Sequence, residues 1–377
     1  MTRQSTLVAR KRRPAAVVAG FALSAIALTS ASVYAEATGV AATSGSSNPG
    51  PRRRGALQTI LLQGPAMQSQ RFDVSYAAEF GAEAPKGAIV LYLPVPSESD
   101  VQTVESLSVE PQLGSGKLLD WKIKREAEYG NKFVEARVQD VAPGSRVVLK
   151  YSVLRRELSN PPQGSLKTSQ STLAAPAALF LQADRLVPLN GPVAALARET
   201  VSGGDLDQKM TAIYDKTVAM MAYDKSGEGW GQGDVIWACD NKRGNCTDFH
   251  SVLIGMARAS SIPAKFEIGL PIPTDKNEGK IAGYHCWAYL FSPQRGWVPM
   301  DASEGWKNDK KYKDYYLGRM GSDRIALSVG RDIKLGQRGA PLNYFVYPYA
   351  EVAAGSQEVQ TVPMKVDISF SKPPALP

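Results

Sequence analysis

The hydrophobic period of the chain changes near residue 159, and that change limits what the chain can fold into. Between Arg71 and Leu158 the period is two. In "KFVEARV" Val134, Ala136 and Val138 face one way and Glu135 and Arg137 the other. In "RVVLKYSVL" Val147, Leu149, Tyr151 and Val153 share a face. Successive strand side chains point to opposite faces, so this alternation predicts half-buried strands. "AIVLYLPVP" reads as an apolar strand ended by Pro94 and Pro96, and "PGS" at 143–145 as a turn. Residues 71–158 are therefore expected to form a small antiparallel all-β, sandwich-like domain. It carries no convergent polar cluster, so its expected role is to pack against or present the domain that follows. "SNPPQGSLKTSQS" opens an interdomain linker, read as 159–174, and residues 175–377 form a second domain. There "DQKMTAIYDKTVAMM" puts Met210, Ile213, Tyr214, Thr217 and Met221 on one helical stripe, a core face. "LNYFVYPYAEV" and "VPMKVDISF" beyond residue 320 return to strand patterning. The α+β class follows.

Ahead of these lie two segments with little to bury. Residues 1–35 read as a secretory signal, with "RKRR" as basic region, "PAAVVAGFALSAIAL" as apolar stretch and "VYA" as a small-residue cleavage site. The protein is expected to be exported, to periplasm, envelope or medium, and to touch a membrane only if this segment stays uncleaved. Residues 36–70, with "TGVAATSGSSNPGPRRRG", read as a flexible linker. These segments also explain the charge. Of the formal +8, the acid-free first 35 residues supply five cations, leaving 39 bases against 36 acids, and Arg52, Arg53 and Arg54 account for that excess. The folded part is about neutral, which argues against nucleic acid as a partner.

Three cysteines, Cys239, Cys246 and Cys286, are too few for a disulfide scaffold, and the odd number leaves at least one free thiol. There is no C-x-x-C, only His250 and His285 could add imidazole, and no dense acidic cluster suggests calcium, so neither metal nor cofactor is expected. The glycine-rich "DKSGEGWGQGD" at 224–234 lacks the G-K-[ST] of a phosphate loop.

"RGNCTDFH" (243–250) is the sharpest local signal. After Cys246, Phe249, Val252, Leu253, Met256 and Ala257 recur at helical spacing; Asn245 suits the N-cap, Asp248 imitates a capping box, and Pro263 stops the helix. Cys246 then opens a helix, which matters because only the thiolate is a strong nucleophile. Lowering a thiol pKa by two units takes about 2.7 kcal/mol. A helix N-terminus supplies about 0.3–1 kcal/mol when exposed and up to ~2 when partly buried, so an imidazolium must contribute. His250, one turn further on, is one source. His285 is the better one. "YHCWAYLF" and "GWVPMD" flank "SPQ", and a three-residue turn centred on Pro293 would set His285 directly opposite Asp301, on the same face, where the carboxylate can orient the ring. His250, without such a partner in sequence, reads as a structural histidine. Taken singly, each of these residues has a bland reading as a packed cysteine, a satisfied histidine or a turn aspartate; the combination does not.

These residues resemble the transglutaminase-like superfamily, through "GNCTDF", the helix end "SSIPAKFE", "GYHCWAY" and "GWVPMDAS", in the order Cys, His, Asp. The resemblance is strong from about Asp205 to Ser303. Ser261, where the family often has Gly before "IPA", and His250, at a position often small, depart from it. The resemblance implies a papain-like core, the cysteine helix packed on an antiparallel sheet that carries His and Asp. It implies Cys246 as nucleophile, His285 as general acid–base and Asp301 as the group that fixes the imidazole, with the Cys246 backbone N–H as one oxyanion donor. Trp237 and Asn241 are the candidates for a second donor. Cys286 is expected to point away from His285 as a buried small residue, with a Cys239–Cys286 disulfide left open. Trp230, Tyr284, Trp287, Trp297 and Trp306 could line a polypeptide cleft or pack. The implied chemistry is acyl transfer on protein or peptide amides of the cell envelope, with water slightly favoured over an amine as acceptor. Two other readings stand beside it: a catalytically silent envelope-binding module with the same fold, and a peptidoglycan-peptide amidase.

Overall fold

The structure is a computed structural model and describes residues 68–82, 84–162, 178–307, 310–336, 340–352 and 360–374. The expected signal, nearly all of the N-terminal linker and most of the interdomain linker lie outside the described residues. No helix among the described residues is long and apolar enough to cross a membrane.

The alternating segment forms two antiparallel sheets. The first has the spatial order Glu278–Lys280, Met364–Ser371, Ser69–Phe80, Arg146–Arg156, Gln102–Gln112. The second has the order Tyr349–Val352, Ala88–Pro94, Lys132–Gln139, Lys117–Arg125. The faces expected to be apolar are buried: Val134, Ala136, Val138, Val147, Leu149, Tyr151 and Val153 join Tyr76, Phe80, Leu91 and Leu93 in one core. Burying each such side chain contributes about 1.5–3 kcal/mol, which fixes the register, because a one-residue slip would turn the whole set to water. The strands near the C-terminus, read in sequence with the second domain, hydrogen-bond into these sheets: Val366 lies opposite Ala78 and Ala350 opposite Leu91. Alternation announces a strand but not its partner.

Beyond the sandwich, a four-stranded antiparallel sheet runs Gly296–Met300, His285–Ser292, Ala264–Pro271, Arg324–Val329. Helices α1 (Gly191–Thr200), α2 (Leu206–Met220), α3 (Val235–Asn241) and α4 (Cys246–Ala259) lie beside it. Two short helices follow, α5 (Ala302–Lys307) and α6 (Lys310–Tyr315). The α2 stripe expected from sequence is buried throughout. Helix α4 is the centre of this half. It packs on the strand His285–Ser292 and against α1, α2 and α3, and every residue from Cys246 to Arg258 is buried. A helix apolar on most of its surface belongs inside; the polar groups at its N-terminal end meet the site, while Arg258 near the other end pairs with Asp184. It ends in a Schellman arrangement, with Ile262 N–H bonded to Ala257 O and Ser261 N–H to Arg258 O. Ser261 takes the left-handed conformation, φ +60°, that favours glycine.

Candidate active site

The start of α4 is built by its own sequence. The Asn245 side chain accepts from Thr247 N–H at 2.9 Å, and Asp248 accepts from Asn245 N–H at 2.9 Å, the reciprocal box expected from the spacing. Asp248 also accepts from the N–H groups of Gly231 (2.7 Å) and Gly233 (2.9 Å). Arg331 closes the same loop from its carbonyl side, donating to Gln232 O and Gly233 O at 2.8 Å. The glycine-rich loop is thus clamped against the helix start. Gly244, φ +145°, is required, since a Cβ there would fall 2.2 Å from Asp248 Oδ2.

His285 begins its strand opposite Gly269. The hairpin after it differs from expectation by two residues. Ala288 lies opposite Met300 and Ser292 opposite Gly296, so the turn is Pro293 to Arg295 and Asp301 sits diagonal to His285 instead of directly across. An even shift preserves the face, and the two side chains close the gap: His285 Nε2 is 2.6 Å from Asp301 Oδ2. Asp301 Oδ1 accepts from Ser303 Oγ (2.9 Å) and Glu304 N–H (3.0 Å), capping the first turn of α5. The His285 ring also hydrogen-bonds the Cys246 side chain.

Three further residues join this set through contacts that the sequence did not announce. Arg324, on the far strand of the sheet and 3% exposed, donates Nη1 to Asp301 Oδ2. No local pattern announced it, because it reaches the carboxylate through sheet pairing alone. His250 was read as lacking a partner; its Nε2 lies 3.5 Å from Asp301 Oδ1, at the outer edge of hydrogen-bond range, and Nδ1 lies 3.4 Å from Cys286 Sγ. Cys286, expected to point away from His285 as a buried small residue, is fully buried. Strand alternation does put it on the opposite face from His285, but that face is the one packed on α4, so its thiol meets His250 and Cys246. All three cysteines are free.

The charges follow from this packing. Hydrogen bonding from Cys286 holds the Cys246 thiol well below its usual pKa; burial opposes this, and His285 and His250 add to it. Burial alone would lower His285, but Asp301 and the Cys246 sulfur overcome it and raise the imidazole to about 9. Burial also pushes Asp301 up, and His285, Arg324 and His250 together keep it well below the carboxylate range. Burial lowers His250, and it raises Cys286 well above an ordinary thiol. The two opposite shifts favour the thiolate–imidazolium form of the pair.

The two oxyanion candidates sit on α3 and are otherwise engaged. Asn241 donates its amide to Trp237 O at 2.9 Å, and the Trp237 ring lies 5.4 Å from the Arg243 guanidinium. Of the aromatic residues, Tyr284 is held beside the helix cap, its hydroxyl 3.2 Å from Asn245 Nδ2 and 3.2 Å from the Tyr344 hydroxyl. Trp287 is fully buried and donates to Glu267 at 2.6 Å. Trp297 packs against Phe180 and Phe291. Trp230 donates to Gly227 O, and Trp306 is 39% exposed near Phe249.

Residues 194–302 match the model of the transglutaminase-like superfamily. An uncharacterized Haemophilus influenzae protein is 26% identical over 313 residues, covering 71% of this chain and 81% of that protein. The Bacillus subtilis protein YebA is 26% identical over 93 residues, 22% of this chain and 13% of its own length. Among solved structures, that of a proposed cysteine protease from Cytophaga hutchinsonii shares the fold, with TM-score 0.53 and 14% identity over 81% of this chain and 98% of that one. Residues 194–302, which hold the cysteine helix and the strand pair facing it, are therefore the part of the chain that is similar to the transglutaminase-like superfamily.

Proposed function

We propose that this protein is an exported, cysteine-dependent acyl-transfer enzyme acting on protein or peptide amides of the cell envelope, with Cys246, His285 and Asp301 as its reacting set. The observation that carries the reading is the buried chain from the Cys246 thiol through the His285 ring to Asp301 at the first turn of a helix. The superfamily match supports cysteine hydrolase or acyltransferase chemistry. The basic, then apolar, then "VYA" order of residues 1–35 supports export.

In this reading the Cys246 thiolate adds to the amide carbonyl. The carbonyl oxygen becomes an oxyanion facing the Cys246 backbone N–H, where the helix dipole favours negative charge. The His285 imidazolium gives its proton to the departing amine as the C–N bond breaks, leaving a thioester on Cys246. Neutral His285 then takes a proton from water, or from an acceptor amine, as that group attacks the thioester and returns the thiolate. Water gives hydrolysis and an amine gives transfer; we favour hydrolysis, since water is abundant whereas amine transfer needs a dedicated second site.

The test is the rate of Cys246 alkylation by iodoacetamide against pH, with the labelled residue mapped by mass spectrometry, in wild type and His285→Ala. A midpoint well below 8 that rises towards the free-thiol value of about 8.5 in the variant supports the ion pair. Free-thiol titration in both proteins would sink the proposal and favour a silent binding module.

A further inference from the structure

Asp301 faces more charge than a triad needs. Its Oδ2 receives His285 Nε2 and Arg324 Nη1 together, and its Oδ1 receives Ser303 and Glu304. Arg324 is locked in place. Its guanidinium lies between the rings of Trp287 and Tyr316, 5.4 Å from each, and its Nε lies 3.7 Å from Asp323 Oδ1. Arg324 and Asp301 are both buried, and a buried ion pair is a weak source of stability, because desolvation offsets most of the attraction. What such a pair does supply is a fixed charge next to a titrating one.

We infer that Arg324 is a positioning residue that keeps Asp301 ionised through both halves of the proton transfer and limits its hold on the His285 imidazolium. The inference rests on the function proposed above. When His285 has given its proton away, Asp301 would be a lone buried anion without a second cation; Arg324 supplies that cation. When His285 is protonated, the positive charge of Arg324 on the same oxygen offsets part of the carboxylate's field, so the imidazolium is stabilised less than an unshared carboxylate would stabilise it. The proton then remains transferable to a leaving amine. The residue lies beyond the segment matched by the superfamily model.

The other groups facing this centre do not replace that role. From α4 come Cys246 and His250, and burial lowers His250, so it is no permanent cation. Cys286 stays protonated. Tyr214 of α2, Tyr223 and Tyr316 are raised well above neutral by burial. Glu304 of α5 meets Asp301 through its backbone N–H, and Asp323 is half-exposed. Arg324 is the permanent cation in contact with Asp301.

The test uses Arg324→Gln and Arg324→Lys in the full chain, each checked for folding by thermal melting, with Arg324→Met in place of the Gln variant should that not fold. Two midpoints are read: Cys246 alkylation, and His285 by NMR. With the charge removed, both should rise by about one pH unit, since a negative carboxylate is then uncompensated. With lysine both should stay near wild type. A folded Gln or Met variant with unmoved midpoints overturns the inference, as does a folded Lys variant that shifts like the neutral one. Reduced stability without a shift marks Arg324 as structural and also overturns it. A wild-type Cys246 that titrates as a free thiol is a different failure, that of the proposed function.

Discussion

His285 Nε2 and Asp301 Oδ2 stand 2.6 Å apart although their strands pair two residues out of direct opposition. The carboxylate therefore fixes which imidazole nitrogen faces Cys246, and it does so from the end of a strand that continues directly into the α5 turn it caps. Orientation of the imidazole and capping of a helix are joined in one residue.

Asp301→Asn keeps the shape and removes the charge. His285 should lose its raised pKa and Cys246 its lowered one. At pH 7 the rate of Cys246 alkylation should fall, and amide turnover should drop by roughly 10²–10⁴-fold, the range for losing a positioned acid–base group. Matched kinetics of the two proteins check this; equal alkylation profiles would count against Asp301.

The pair also predicts a stability profile. His285 is raised in the folded state to about 9, so its contribution is full below about 6.5 and is lost as pH rises towards 9. Cys246 is lowered, so its contribution is full above about 8.5 and is lost as pH falls. Between about 6.5 and 8.5 the folded pair and the unfolded pair each bind one proton, and the two slopes cancel. The Tm difference between wild type and the Cys246→Ala/His285→Ala variant should therefore be flat across that window and shrink on the acid side. A slope through neutrality would contradict a thiolate–imidazolium resting state.

Limiting iodoacetamide at pH 6.5 should label Cys246 and spare the other thiols. Burial pushes Cys239 up to about 11 and holds Cys286 well above an ordinary thiol. Replacing Cys286 by Ala should slow labelling of Cys246, because the hydrogen bond to its sulfur is lost. Peptide mapping of the labelled protein decides both points.

Ser261→Gly should stabilise the protein by about 1 kcal/mol. The residue sits at φ +60° in the helix-ending motif, where a side chain costs about that much. An increase in Tm of a few degrees, with Cys246 reactivity unchanged, is the expected result; a decrease would mean that the serine side chain holds the turn.

The sequence by itself determined the elements and the opening of the cysteine helix. Period two over 71–158 fixed which residues of the sandwich face inward, and Asn245, Asp248 and Pro263 fixed where α4 begins and ends, because capping and alternation are local rules. It also brought His285 and Asp301 to one face, since a register error of two does not change parity. Tertiary structure alone decided the rest. Arg324 reaches Asp301 across two strands of the sheet, His250 and Cys286 meet because α4 packs on the strand that carries His285, and the strands after residue 348 close the sandwich. Those contacts depend on which face meets which, and side-chain periodicity states that a face is apolar without naming the surface that covers it.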